Sequence, residues 1–211
     1  MAAIVGGWAV ILGVVTASGL ALASYGSRLP LLESEIEVNR DLVDARTPAW
    51  DDISGVVTVA GDSLVVGPLA LAVGLLLRWV LDRWRESLFL AAAVLGHWAV
   101  FLSAGMLVDR RRPDVPKLDE APATSSFPSG HTGAALALYV ALAVVVVLRV
   151  RTRWIKVVIA ASLLAIPVAV GWSRLYRGMH FPSDLVGSLL SSGLVILVAY
   201  VVLLRRRFHQ G

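Results

Sequence analysis

The chain has 211 residues, 57% of them hydrophobic and only 16% charged; soluble domains carry roughly 25% charged residues, so the composition excludes an ordinary soluble domain. Cysteine is absent, which excludes disulfides, thiolate nucleophiles and Cys-ligated zinc. The formal charge is +4, but the bases sit mostly at the ends of apolar runs, where they anchor helices at a lipid surface, so the charge does not indicate a nucleic-acid partner.

A membrane-spanning helix needs about 20 mainly apolar residues. Six stretches meet or approach that length, and they predict an all-α bundle of six transmembrane helices in a single membrane domain over residues 1–211. The first is Ile4–Tyr25. It lacks a basic leader and is long for a signal peptide, so it reads as a retained helix. The loop Gly26–Asp52 is acidic, with Glu33, Glu35, Glu37, Asp41, Asp44, Asp51 and Asp52. Within it, Leu31–Val43 reads as an amphipathic segment at the interface. The second and third spans are Ile53–Leu77 and Leu88–Val108, which place Asp62 and His97 inside helices. An ionisable group there is either a functional residue or half of a hydrogen-bonded structural pair. A loop rich in proline and charge, Asp109–Pro128, leads to the fourth span, Thr132–Leu148. The fifth and sixth spans are Ile155–Trp172 and Leu185–Leu204. Trp79, Trp84, Trp154 and Trp172 lie near helix ends and read as interfacial belt residues.

Loop charge sets the expected orientation. One side holds the Arg78–Arg85 link, the Arg149–Lys156 link and the tail, with ten Lys/Arg; the other three loops hold nine. The near tie breaks if Arg112 and Arg174 serve a site instead of anchoring helices. Both termini are then cytoplasmic, and the loops carrying Arg112, His131 and His180 are extracytoplasmic.

Those loops carry the chemistry. Arg110-Arg111-Arg112-Pro113, Phe127-Pro128-Ser129-Gly130-His131, and Ser173-Arg174 followed by His180 and Asp184 all fall on one side of a six-helix bundle. Ser129 suits the N-cap of the fourth span, where free N–H groups favour an anion. Pro182 fits the first turn of the sixth span and puts Asp184 near its positive end. A carboxylate bonded to one imidazole nitrogen of His180 fixes the tautomer and leaves the other lone pair free to attack. Arg112 is placed in the site, with Arg110 and Arg111 supporting or at the surface. A zinc site from His131, His180 and Asp184 is the alternative; arginines converging on the same place favour a bound anion and no metal.

These motifs resemble the phosphatidic acid phosphatase type 2 superfamily, whose pattern is Lys-x6-Arg-Pro, Pro-Ser-Gly-His and Ser-Arg-x5-His-x3-Asp. The second motif matches fully at Pro128–His131 and the third from Ser173 to Asp184. The first matches at Arg112-Pro113, with Gly105 where the pattern has lysine. The resemblance implies an enzyme without a cofactor that hydrolyses a lipid phosphate or diphosphate such as polyprenyl diphosphate, phosphatidate or phosphatidylglycerol phosphate. It implies that His180 attacks phosphorus, Asp184 orients it, and His131 protonates the leaving oxygen. Arg112, Ser129, Gly130 and Arg174 would bind the phosphoryl oxygens. The departure at Gly105 bears on affinity or rate and not on the nucleophile. The rivals are a non-catalytic lipid-phosphate binder or transporter and a vanadium-dependent haloperoxidase, whose members are soluble.

Overall fold

The computed structural model describes residues 2–25, 30–121 and 123–205. Arg28 and the tail bases Arg206 and Arg207 lie outside them. The described chain is helical, in the order α1 (Ala2–Tyr25), α2 (Pro30–Asp44), α3 (Pro48–Val59), α4 (Ser63–Leu81), α5 (Arg85–Leu107), α6 (Gly130–Ala135), a π-helical segment Leu136–Val140, α7 (Ala141–Arg149), α8 (Arg153–Tyr176), α9 (Pro182–Tyr200) and a second π-helical segment Val201–Arg205. Six helical stretches are long and apolar enough to cross a membrane: Ile4–Tyr25, Ser63–Leu81, Arg85–Leu107, Gly130–Arg149, Arg153–Tyr176 and Pro182–Arg205. Their outward side chains are apolar, as at Leu64, Leu71, Met106, Val168 and Val186, which suits hydrocarbon as the surrounding solvent.

The central element is the run from α6 through α7. It packs against α5, α8 and α9. Ala134, Ala135, Ala137 and Ala141 are buried along it, and these small side chains let neighbouring helices approach closely. Phe89, Leu90, Leu138, Val170 and Ile196 fill the space between. A second cluster, with Ile11, Val15, Val100, Phe127 and Val195, joins α1, α5 and α9. At the start of α5, Glu86 is fully buried and bonds Arg149 Nε at 2.9 Å and Arg83 Nε at 3.1 Å. That charge cluster closes the end of the bundle opposite the site described below.

The expected second span, Ile53–Leu77, is corrected. The chain breaks at Ala60–Asp62 into two helices. Thr47 caps α3 ahead of Pro48, and Asp62 caps α4 by accepting from Leu64 N–H at 2.8 Å. An Asp preceded by Gly is a start signal, so Asp62 lies at a corner and not inside a helix. Only α4 spans; α3 packs against α8. The amphipathic segment expected at Leu31–Val43 is α2, and its inward face is polar. Glu35 and Asn39, one turn apart, are buried, while Glu33, Glu37 and Asp41 are exposed. Trp79, Trp84 and Trp154 are exposed near helix ends, and Trp172, half-buried, packs between the rings of Trp50 and Tyr176.

Candidate active site

The α3–α4 corner, α5, the start of α6, the end of α8 and the loops before α6 and α9 surround a cavity of about 380 Å³ whose lining includes Arg112, Gly130, His131, Arg174 and His180, together with Asp62 and Asp119. The three motif segments therefore converge on one space.

His180 sits between α8 and α9, on the residue pair that precedes Pro182. Its side chain is 4% exposed. Nδ1 lies 2.8 Å from the Ser126 carbonyl and 3.5 Å from Asp184 Oδ2. The short contact is therefore to a backbone oxygen, with the carboxylate as a second, longer partner. An acceptor there places the proton on Nδ1 and leaves the Nε2 lone pair free. Arg112 Nη1 is 3.5 Å from that Nε2. Burial pushes the His180 imidazole below its ordinary range, and Asp184 opposes the shift, so the neutral ring is favoured.

Asp184 is fully buried and does not line the cavity. Its Oδ1 accepts from Arg110 Nη1, and its Oδ2 accepts from Phe181 N–H at 2.8 Å. Arg110 also donates from Nη2 to Glu35 Oε2 at 3.0 Å. Glu35 in turn accepts the Ser183 N–H at 2.6 Å, and Asn39 Nδ2 donates to the His180 carbonyl at 3.1 Å. Arg110 thus takes the supporting place that was one of its two expected positions, while Glu35 and Asn39 were left unassigned by sequence reasoning. The i, i+4 spacing of Glu35 and Asn39 was the available signal, because two polar groups on one turn face one partner. Arg111 is exposed, in keeping with its expected surface position.

Arg112 donates to the Met179 carbonyl at 2.9 Å, which aims its guanidinium along the cavity wall. Burial lowers its pKa from the ordinary value, with Asp184 opposing; an arginine stays charged at working pH. Arg174, on the last turn of α8, donates to Thr58 Oγ1 at 2.9 Å and to Asp119 Oδ2 at 2.7 Å. Asp119 also accepts from Arg177 Nε and Nη2 at 2.6–2.9 Å. Burial pushes the Asp119 carboxyl up, and the bonds and charges of Arg177 and Arg174 outweigh it, so it stays below the usual carboxylate range. Arg177 ends on Ser54 Oγ and the Asp51 carbonyl, so it ties the loop to α3.

His131 lies in the first turn of α6, and Gly130 and His131 line the cavity where the helix's first N–H groups are unpaired within it. Ser129 occupies the N-cap position as expected, but its hydroxyl contacts Thr132 Oγ1 at 2.9 Å and it does not line the cavity. Its N–H donates to the Asp184 carbonyl at 3.3 Å. Ser188 Oγ lies 2.8 Å from the Ser129 carbonyl and 2.9 Å from the Asp184 carbonyl. Ser129 thus joins α6 to α9. His97 is half of a structural pair: Nδ1 meets Ser192 Oγ at 3.1 Å, and that hydroxyl donates to the Gly133 carbonyl at 3.0 Å. The ring occupies the place a Cβ on Gly133 would need, 2.2 Å away.

Gly105 faces open space, with no atom within 4 Å of an added Cβ. Arg110 is engaged with Asp184 and Glu35, and exposed Lys117 reaches the Val115 carbonyl. None of these contacts brings a second cation to the place of the missing lysine. Among the described residues no group of three His, Asp or Glu is positioned to hold a metal ion. His131 and His180 share the cavity, but Asp184 is turned into the Arg110 pair.

Residues 85–208 match the PAP2 superfamily. The chain is similar to the "Putative undecaprenyl-diphosphatase YbjG" of Escherichia coli (strain K12), with 31% identity over 159 residues, 71% of this chain and 73% of that one. It is similar also to phosphatidylglycerophosphatase B of Bacillus subtilis (strain 168), with 30% identity over 171 residues, 75% of this chain and 77% of that one. In fold it resembles the crystal structure of a transmembrane PAP2 type phosphatidylglycerolphosphate phosphatase from Bacillus subtilis, at TM-score 0.78 and 22% identity, covering 96% of both chains.

Proposed function

The chain belongs to the PAP2 superfamily, and from that premise we propose that this multi-pass membrane protein hydrolyses a lipid phosphate or diphosphate through a phosphohistidine at His180, without a metal. The observation that carries the mechanism is one cavity shared by the unprotonated Nε2 of His180, by Arg112 in a long 3.5 Å contact with it, and by His131 and Arg174. His180 Nε2 attacks phosphorus as the bond to the leaving oxygen breaks, and His131 gives that oxygen its proton. Neutral His131 then takes a proton from the water that cleaves the phosphorus–nitrogen bond, and inorganic phosphate leaves. Arg112, Arg174 and the N–H groups of Gly130 and His131 hold the phosphoryl oxygens, whose charge must be balanced throughout transfer. Ser129 contributes by fixing α6 against α9. Asp184 and the Ser126 carbonyl hold the His180 ring.

The substrate class is a phosphate on a lipid, because the cavity sits at the end of helices whose flanks face hydrocarbon. Relatives named for undecaprenyl diphosphate and for phosphatidylglycerol phosphate fall within that class. The termini face the cytoplasm and the site faces out. Of the nine bases on the site side, Arg110, Arg174 and Arg177 are buried and cannot anchor at lipid headgroups, which lowers the effective count there. Exposed Ala123 and Thr152 suit single cysteines. A cysteine at 123 reacts with an impermeant maleimide on intact cells and one at 152 does not; the reverse inverts the topology.

Phosphate release by purified protein from a panel of lipid phosphates, with and without EDTA, tests the activity. Turnover continues in EDTA, rapid quenching traps an acid-labile phosphoenzyme, and His180→Ala abolishes both. Wild-type turnover in His180→Ala would refute the mechanism. Tight binding of a lipid phosphate with no release would instead favour a non-catalytic binder.

A further inference from the structure

The corner between α3 and α4 meets the start of α6 at very close range. A Cβ on Gly61 would lie 2.5 Å from the His131 carbonyl oxygen and 2.8 Å from Val170. Only the absence of a side chain lets the two backbones approach so far. The next residue is Asp62, and its two oxygens are used differently. Oδ1 accepts from Leu64 N–H at 2.8 Å and fixes the carboxylate on the helix end. Oδ2 faces His131 Nε2 at 4.0 Å, and both side chains border the cavity, 42% and 33% exposed.

We infer that Asp62 is a positioning residue for the proposed reaction, a carboxylate held beside His131 to favour its protonated form so that it can give the leaving oxygen its proton. The proposal rests on the assignment of His131 as the acid. At 4.0 Å the contact acts through charge and is too long for a hydrogen bond, so Nε2 remains free to donate to substrate. Capping alone does not require this residue, since Asn and Ser cap as well as Asp. Nor does capping require the corner to be pressed onto His131. The other charged or titratable groups facing His131 are Arg174 from α8, His180 from the α8–α9 link and Asp119 from the long loop. Arg174, and His180 whenever it is charged, repel an imidazolium. Asp119 is committed to Arg174 and Arg177. Among the described residues, Asp62 is the carboxylate near His131 that pairs with no cation other than that ring.

After the proton is given up, His131 is neutral and takes a proton from the attacking water, which restores the pair with Asp62. The charge therefore matters most when the leaving group is a poor one. A lipid alkoxide needs the proton; p-nitrophenolate needs it much less.

The test uses Asp62→Asn in the full chain, with Asp62→Ser as a second variant that keeps a cap. Phosphatidate and p-nitrophenyl phosphate are assayed side by side across pH. Losing a carboxylate this close lowers an imidazole's proton affinity by about tenfold or more, so phosphatidate turnover falls roughly 10- to 100-fold and its alkaline limb moves to lower pH. Turnover of p-nitrophenyl phosphate falls by much less, and thermal unfolding is unchanged. An unshifted pH profile with an unchanged ratio between substrates overturns the proposal. So does an equal loss on both substrates accompanied by a lower unfolding temperature, which is the mark of a structural corner. His131→Ala is run in parallel. If it too loses both substrates equally, the assignment of His131 as acid fails. If it loses phosphatidate selectively while Asp62→Asn does not, only the role of Asp62 falls.

Discussion

Arg110→Met separates a residue that binds phosphate from one that braces the nucleophile. Arg110 is 6% exposed and bridges Glu35 and Asp184, which are themselves buried. Methionine keeps much of the volume and removes the charge. Two carboxylates are then left without their cation. Glu35 still accepts Ser183 N–H, and Asp184 still accepts Phe181 N–H, so each keeps one partner. Breaking a buried pair from one side costs about 3–5 kcal/mol. At roughly 2–4 °C per kcal/mol for a chain of this size, unfolding in detergent moves down by about 6–20 °C. Adding Glu35→Gln removes one stranded charge and restores part of that loss. Catalysis suffers through geometry, since Asp184 lies 3.5 Å behind the His180 ring. A misplacement near 1 Å can cost about 100-fold, and here it falls on kcat. KM stays near the wild-type value because Arg110 does not line the cavity. Steady-state kinetics on one lipid phosphate decide the matter. A raised KM with kcat retained would mean that Arg110 grips phosphate, and the bracing account would be wrong.

Gly105→Lys should fold normally, because nothing lies within 4 Å of the added Cβ, and should raise turnover on simple phosphates; a misfolded variant would contradict the open space. Gly61→Ala forces a Cβ against the His131 backbone and should cost about 1–3 kcal/mol, while Gly13→Ala, with no atom within reach, should be tolerated in the same unfolding assay. The acid limb of kcat/KM should lie below the ordinary histidine value, since burial lowers the His180 pKa and the neutral ring is the active form. Asp184→Asn removes the opposing influence, so that limb should move lower still while kcat drops; a limb displaced upward would refute the assignment.

The spans and the motif residues were legible because each announces itself locally. Twenty apolar residues have one economical fate in lipid, and Pro128–His131 and Ser173–Asp184 carry their chemistry in fixed spacing. The break before α4 was equally local, since Gly61-Asp62 is a helix start, yet the long apolar run from Ile53 to Leu77 outweighed it. What the sequence hides is pairing across distance. Glu35 and Arg110 are 75 residues apart, and nothing near either one names the other. The Ser126 carbonyl that meets His180 Nδ1 is a backbone atom, so no side-chain pattern could report it. Ser129 illustrates the opposite case: its type and position were right, but the hydroxyl answers Thr132 within its own turn.

The Glu35–Arg110–Asp184 bridge also has a history in time. The ribosome makes its members in that order, with α4 and α5 lying between the first two and the α6–α8 helices between the last two. Glu35 lies on α2, which is too polar to span, and Arg110 is the first of its partners to be made. That first pairing leaves an arginine with donors to spare. Asp184 completes it only when α9 docks and brings His180 with it. His180 is therefore set in the same event that completes the bridge, so a chain halted before α9 lacks both the proposed nucleophile and the carboxylate behind it.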